Sequence, residues 1–213
     1  MCITRVKIKQ YLEEPRRPRQ INNEDRVGEM LALGVDIERG VGSIIPIQAT
    51  RIRLPAGGEP DGRGAMSIVH ATGNIEKIMD ESRKVATTAL LHCADAWGID
   101  LDHLKDPVHL HFMGASTSKD GPSAGGAIAL ALASQILERK IRRDVAMTGE
   151  IDTQGRISSI GALVIKLETA CDVGCKTMII PRENLHGPEG IERLPDADRK
   201  STRLNSSHRI RSR

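Results

Sequence analysis

The most regular hydrophobic pattern of the chain runs over residues 74–97, where apolar residues recur at intervals of three and four. This period places the apolar residues on one face of an amphipathic helix. Asn74 is a residue type that often caps a helix start, and Gly98 is a type that often ends one. We therefore predict a long helix over 74–97.

Shorter segments rich in β-branched or alternating apolar residues predict strands. Residues 40–52 are predicted to form a strand pair or one bent strand, and shorter strands are predicted at 67–71, 107–112, 145–151 and 177–181. Two further helices are predicted over 123–140 and 161–173. The order of elements lacks a regular βαβ alternation, so the expected fold class is α+β, with small mixed sheets packed by helices.

Composition divides the chain into three regions. Residues 1–26 are charged and rich in proline and are interpreted as a short helical end followed by a linker; residues 27–197 form the expected domain. Residues 198–213 hold six of the 31 Lys/Arg but one of the 28 Asp/Glu, so the net charge of +3 belongs to this tail. The tail begins DRKSTRLNSSH, which resembles a translated sequencing-library adapter. We expect it to be non-native, with the natural C-terminus missing.

The composition argues against nucleic-acid and membrane partners. Aromatic residues make up 1% of the chain, whereas single-stranded nucleic-acid sites rely on aromatic stacking. The body of the chain, without the tail, is near neutral. No apolar run reaches the length of a membrane span, and the N-terminus does not read as a signal peptide. A cytoplasmic protein without a membrane or specific nucleic-acid partner is expected.

Two pairs of side chains have the spacing of metal ligands. Cys171 and Cys175 would share one face of a helix, where two small core residues are the favoured interpretation because a zinc site needs two further ligands. His109 and His111 share one face of a predicted strand, and a polar sheet face is favoured over a metal site. No metal is therefore expected.

The segment KDGPSAGG, residues 119–126, has the features of a nucleophile loop. Its glycines allow close backbone approach, and Pro122 favours the first turn of a helix. Ser123 would then lie at a helix N-terminus, where unpaired N–H groups can stabilise an oxyanion. Taken alone, Gly-Pro-Ser is more often an ordinary helix start.

Further motifs along the chain favour a nucleophile over an ordinary helix start. KDGPSAG, DVAMTGEI, GRISSIGAL, GCKTMIIPREN and a lysine 43 residues after the serine together resemble the Lon protease family over about residues 27–190. Residues 1–19 also resemble the end of that family's ATPase lid. The resemblance implies that Ser123 is the nucleophile, Lys166 the base that activates it, and Thr148 the residue that aims the lysine amine. The oxyanion hole would come from the N–H of Ser123 and a neighbour in Asp120–Gly121.

Several positions depart from the family pattern. Ala162 stands where a second glycine is usual, and Gln48 stands where an acidic residue is common. Val164 and Ile165 replace charged residues and are expected to keep the surroundings of Lys166 apolar, although neither needs to face the site. Lys119 is an alternative base, but in an exposed loop it would be solvated and charged, so Lys166 is preferred.

The chain contains no GxxxxGK[ST] phosphate-binding loop, and no cofactor is expected within it. The resemblance implies an ATPase domain with ATP and Mg, upstream in cis or supplied in trans, and a hexameric ring acting on unfolded or damaged proteins. The predicted function is thus a serine endopeptidase. One alternative is a non-catalytic Lon-like module that assembles with or binds another ATPase. A second, an anion- or RNA-binding domain, is weakened by the neutral body.

Overall fold

The computed structural model describes residues 24–37, 39–52, 69–100, 106–114, 119–186 and 191. Nearly all of the predicted linker and the whole of the adapter-like tail lie outside these residues. The described strands are β1 (Arg26–Val27), β2 (Glu29–Asp36), β3 (Val41–Arg51), β4 (Val69–Thr72), β5 (Val108–Phe112), β6 (Lys140–Ile141), β7 (Val145–Met147), β8 (Glu150–Ile151), β9 (Ile157–Ser158) and β10 (Thr177–Ile179). The described α-helices are α1 (Lys77–His92), α2 (Ala94–Trp97), α3 (Gly125–Ile136) and α4 (Leu163–Asp172), with 3-10 turns at Pro122–Ala124 and Arg182–Leu185.

Six of these strands form one mixed sheet in the order β10-β7-β2-β3-β5-β4. β2 and β3 are antiparallel along the whole of β2, and β5 is antiparallel to β3. β10, β7 and β2 run parallel, as do β4 and β5. Two small antiparallel pairs, β1 with β6 and β8 with β9, flank this sheet. Mixed sheets packed by helices confirm the predicted α+β class.

Helices cover both faces of β2, which is therefore a central strand. Met30 and Ala32 pack into the main core beneath α1 and α3, whereas Leu31 and Leu33 pack on the other side with Ala170 of α4. Adjacent strand residues point to opposite faces, so four successive apolar residues fill two separate cores. The main core is aliphatic apart from Phe112, as the composition indicated.

The predicted helices are present, but their starts differ from the predictions. The 74–97 helix begins at Lys77 and is interrupted at Cys93, and Asn74 does not cap it because its φ is 54°. A side chain from another segment replaces that cap: the Met79 N–H donates to Asp120 Oδ1 at 3.0 Å. The 123–140 helix starts as a 3-10 turn and ends at Ile136.

The strand predictions hold with two corrections. Residues 40–52 form one long strand, β3, and the 145–151 strand is divided by Thr148 and Gly149 into β7 and β8. β2 was not predicted at all. Its buried run of apolar residues lacks the alternation that marks a strand with one solvated face.

The structure confirms the interpretation of one of the two candidate metal-ligand pairs and contradicts that of the other. Thr72 Oγ1 forms hydrogen bonds with His109 Nε2 and His111 Nδ1 at 2.9 and 2.8 Å, which confirms a polar sheet face. Cys171 is exposed at the end of α4 and Cys175 is half-buried beyond it, so the prediction of two core residues on one helix face is wrong. Among the described residues, no group of three His, Cys, Asp or Glu is arranged to hold a metal ion.

Candidate active site

Ser123 lies in a short turn that precedes α3. Gly121, two residues earlier, has φ 116° and ψ 150°, a conformation that in practice only glycine adopts. Pro122 then begins the 3-10 turn that carries Ser123 and Ala124 into α3. The sequence Gly-Pro-Ser therefore sets the direction in which the chain enters the helix, and with it the position of the serine hydroxyl.

Contacts from two sides fix the backbone of this turn. The Gly149 N–H donates to Ser123 O at 2.7 Å, and the Gly126 N–H donates to Gly149 O at 3.0 Å. On the other side, Ser82 Oγ of α1 donates to Pro122 O at 3.2 Å. The break between β7 and β8 thus has a structural reason, because Gly149 leaves the strand direction to pair with the serine turn.

Lys166 lies on the buried side of α4. It shares that side with Leu163, Leu167 and Ala170, and its residue surface is 5% exposed. Val164 is 37% exposed and Ile165 is half-buried, and neither is among the residues found to line the cleft described below. Neither residue therefore lies on the buried side of α4, where the apolar neighbours of the lysine are Leu163, Leu167 and Ala170.

The amine of Lys166 lies between two hydroxyl groups. Its Nζ is 3.1 Å from Ser123 Oγ and donates to Thr148 Oγ1 at 3.3 Å. The fully buried Thr148 hydroxyl donates to Ser123 O at 3.4 Å, which leaves its lone pairs directed at the amine. With one N–H used by Thr148, the nitrogen can direct its lone pair at Ser123.

Burial changes the protonation of this amine. Desolvation lowers the pKa of Lys166 from 10.5 to about 8, because an ammonium ion loses its hydration inside the protein. At pH 7 about a tenth of the molecules then hold the neutral amine, compared with a negligible fraction for a solvated lysine. A neutral amine next to a serine hydroxyl is the requirement for an amine to act as a general base.

Ser123 and Lys166 open into a cleft of about 550 Å³. Its walls come from β2 and the residue just beyond it, from β3 and α1, from the serine turn and from the loop before α4. Their apolar side chains include Leu33, Val35, Ile37, Ile45, Met79 and Ile160. Asp120 and Glu150 are its acidic residues.

The other positions that the sequence analysis singled out differ in where they lie relative to Ser123 and Lys166. Asp120 and Gly121, from which an oxyanion-hole N–H is predicted, line the cleft. Gln48 lies elsewhere, where its Nε2 donates to Glu29 Oε2 at 3.1 Å. Ala162 caps α4 with φ 53° and ψ 38°, a left-handed conformation that explains why glycine is usual at this position.

Lys119 does not have the exposed position that the sequence predicts. It is 6% exposed rather than solvated, and its Nζ donates to Gly73 O at 2.9 Å and to Gly114 O at 2.6 Å. The chain segment beside the serine is thus anchored in the fold instead of extending into solvent.

Two residues of the site escaped the sequence predictions. Ser82 is a polar residue on the buried side of α1, and Gly149 follows Thr148 directly in the MTGE segment. A serine inside an apolar stripe was a detectable signal, because an uncompensated buried hydroxyl is costly. The role of Gly149 depends on a contact 26 residues away along the chain, and no local pattern indicates it.

Comparison with known proteins agrees with this arrangement. A family model described as the Lon protease (S16) C-terminal proteolytic domain matches residues 2–212. The α+β fold, with a serine and a lysine in contact in the lining of a cleft, is consistent with that match. The chain is a serine-type peptidase domain. It belongs to the Lon protease family.

Individual relatives show the same similarity. The chain is 37% identical over 179 residues to Lon protease 1 of Thermus thermophilus, covering 83% of the chain and 21% of that protein. It is 36% identical over 176 residues to Lon protease of Escherichia coli, covering 82% of the chain and 20% of that protein. A shorter match to Lon protease of Xanthomonas oryzae reaches 46% identity over 114 residues, 53% of the chain and 13% of that protein. The chain thus spans about a fifth of the length of the first two relatives.

Proposed function

We propose that this domain is a serine endopeptidase that hydrolyses peptide bonds through a Ser123–Lys166 dyad. The observation that carries the proposal is the 3.1 Å separation of Lys166 Nζ and Ser123 Oγ within a buried site. The lowered pKa of Lys166 supports it, because the base must be neutral before it can accept a proton.

In the first half of the reaction, the Ser123 hydroxyl gives its proton to the neutral Lys166 amine while its oxygen attacks the peptide carbonyl carbon. The tetrahedral oxyanion accepts hydrogen bonds from the Ser123 N–H and from an N–H of Asp120 or Gly121. The Lys166 ammonium then gives its proton to the leaving nitrogen. The carbon–nitrogen bond breaks, and an ester on Ser123 remains.

In the second half, water takes the place of the serine hydroxyl. Neutral Lys166 accepts a proton from water as the hydroxide attacks the ester carbonyl, and the proton then passes to Ser123 Oγ as the ester bond breaks. The Thr148 hydroxyl keeps the amine aimed throughout, because its bond to Ser123 O fixes the direction of its lone pairs.

The wider setting is also part of the proposal. Membership of the Lon family supports unfolded or damaged proteins as substrates and a hexameric ring as the assembly. It also supports an ATPase domain that uses ATP and Mg, carried in cis or supplied in trans. The described cysteines are all free thiols, which supports a reducing location such as the cytoplasm. Among the described helices, none combines the length and apolar character needed to cross a membrane.

A fluorophosphonate probe tests the nucleophile directly, because its phosphorus traps an activated serine with loss of fluoride. We expect the wild-type chain to carry one phosphonyl adduct on Ser123 by peptide mass spectrometry and to cleave an unfolded protein substrate. Ser123→Ala should lose both reactions and keep its circular dichroism spectrum and unfolding midpoint. Cleavage by Ser123→Ala at the wild-type rate would remove Ser123 from the mechanism. A wild-type chain that is neither labelled nor active would favour the non-catalytic Lon-like module.

The pH dependence of labelling tests the base. Because the neutral amine is the active form, the labelling rate should rise about tenfold per pH unit below the pKa of Lys166 and level off above about pH 8. Lys166→Met should lose this rise together with most of the rate. A Lys166→Met variant with the wild-type pH profile would exclude Lys166 as the base.

A further inference from the structure

Lys119 is a buried cation that takes no direct part in the proposed mechanism. Its relative exposure is 6%, and it lies four residues before Ser123. A buried ammonium must be compensated by hydrogen-bond acceptors, since it loses its hydration. Here two main-chain carbonyls, those of Gly73 and Gly114, supply acceptors at 2.9 and 2.6 Å.

The two carbonyls belong to neighbouring strand ends. Gly73 follows β4 directly, and Gly114 lies two residues beyond β5. β4 and β5 are parallel and adjacent, so their C-terminal ends lie side by side at one edge of the sheet. The Lys119 ammonium therefore joins the segment that leads to Ser123 to two strands of the central sheet at once.

Main-chain contacts at the same position strengthen this connection. The Lys119 N–H donates to Asn74 O at 3.1 Å, and the Glu76 N–H donates to Lys119 O at 3.0 Å. The next residue, Asp120, accepts from the Met79 N–H with its carboxylate. Residues 119 and 120 thus tie the serine turn to the start of α1, while Gly149 holds it from the opposite side.

We propose that Lys119 is a positioning residue for the peptidase reaction: its ammonium clamps the start of the serine turn to the ends of β4 and β5 and so sets the distance from Ser123 to Lys166. This proposal rests on the proposed function of the dyad. It differs from a base role, because the described acceptors of the ammonium are main-chain carbonyls and the ammonium acts through the backbone of residues 119–123.

The clamp should affect the chemical step more than binding. A displacement of about 1 Å at a reacting group can cost about 100-fold in rate. Part of the apolar cleft wall, including Leu33 and Ile45, belongs to β2 and β3, which Lys119 does not contact through any bond described above. Removing the ammonium should therefore lower kcat and the labelling rate and leave KM nearly unchanged.

The test compares Lys119→Met with Arg83→Met in the complete chain. Met keeps the length of the lysine stem and removes its donors. Arg83 is the control, since it is also buried and donates to a main-chain carbonyl, Val69 O at 2.8 Å, as well as to Asp80. Its bonds to described residues do not involve the serine turn. Both variants are measured below their unfolding midpoints for fluorophosphonate labelling of Ser123 and for kcat and KM on one peptide.

We expect Lys119→Met to lower the labelling rate and kcat by about 10- to 100-fold with KM within about threefold of wild type. Arg83→Met should lose stability but keep the labelling rate within about threefold. Should Lys119→Met not fold, Lys119→Gln, which keeps an N–H donor, should fold and show a smaller loss in the same direction. Wild-type labelling rates in a folded Lys119 variant, or losses no larger than in Arg83→Met, would overturn the clamp. A wild-type chain unlabelled at Ser123 would instead refute the dyad, and the clamp with it.

Discussion

Lys166 shows how a single polar residue can be detected within an apolar pattern. Leu163, Lys166, Leu167 and Ala170 follow a helical period, and the lysine is the one charged member of that buried stripe. The sequence therefore indicates an unusual lysine. It does not by itself indicate the partner, because Ser123 lies 43 residues earlier and meets the amine only through the tertiary fold.

The buried amine should also be visible in the stability of the protein. The folded pKa of Lys166, about 8, lies below the ordinary value of 10.5. Between these two values the unfolded chain binds more protons than the folded one, so the free energy of unfolding contributed by this group rises with pH. Below pH 8 the group disfavours the fold, and above pH 10.5 that cost is gone.

We expect Lys166→Met to lack this contribution. Urea unfolding at pH 7, 8, 9 and 10 should show the stability of wild type increasing relative to Lys166→Met across the interval from 8 to 10.5. The variant should have its largest relative advantage at pH 8 and below. Parallel stability curves for the two proteins over that interval would show that Lys166 is not desolvated in the folded state.

Lys119, in contrast to Lys166, is a buried lysine that the sequence pattern does not reveal. Its neighbours are glycine, aspartate and serine, a composition typical of exposed loops, and the sequence gives no sign of burial. Its burial arises because β4 and β5 end beside it and present two carbonyls. Burial of this kind depends on where distant strands end, which local composition does not encode.

At the scale of elements, periodicity located the helices better than it located their ends. α4 spans nearly the predicted residues, whereas α1 starts three residues later than predicted. Asp120, not Asn74, accepts from an N–H of its first turn, that of Met79. The central strand β2 was missed because helices cover both of its faces. A cap from a distant residue and a strand buried on both sides are tertiary properties, and both are hidden from a local pattern.

The start of α4 carries a testable local strain. Ala162 adopts φ 53° at the helix N-cap, where a side chain with a Cβ costs about 1–2 kcal/mol compared with glycine. Glycine at this position removes that cost. Part of the resulting gain in stability is offset, because glycine increases the conformational entropy of the unfolded chain, an effect of about 0.4–1 kcal/mol. We expect Ala162→Gly to raise the free energy of unfolding by about 0.5–1 kcal/mol.

Denaturant unfolding of Ala162→Gly beside Ala133→Gly provides the measurement. Ala133 lies in the interior of α3 with ordinary helical geometry, so glycine there should destabilise the protein by about 1 kcal/mol. The two identical substitutions should thus shift the unfolding midpoint in opposite directions. A loss of stability in both variants would mean that Ala162 is not strained.

At the scale of the whole molecule, the α+β class followed from the order of elements, but the arrangement of layers did not. The sheet order β10-β7-β2-β3-β5-β4 pairs strands that are more than 100 residues apart, such as β2 and β7. Hydrophobic patterns specify which faces are buried and leave open which strands become neighbours. The motifs predicted the candidate site residues, whereas the contact between Ser123 and Lys166 depends on this long-range pairing.

The positions of α3 and α4 on opposite sides of β2 have a consequence for the timing of activity during synthesis. Ser123 lies just before α3, on one side of the sheet, and Lys166 belongs to α4, on the other side. A ribosome-bound chain that has emerged only as far as α3 holds the hydroxyl without its proton acceptor. If Ser123 and Lys166 act together as proposed, such a chain is expected to be inactive as a peptidase, because the hydroxyl and the amine meet only when α4 packs against the sheet.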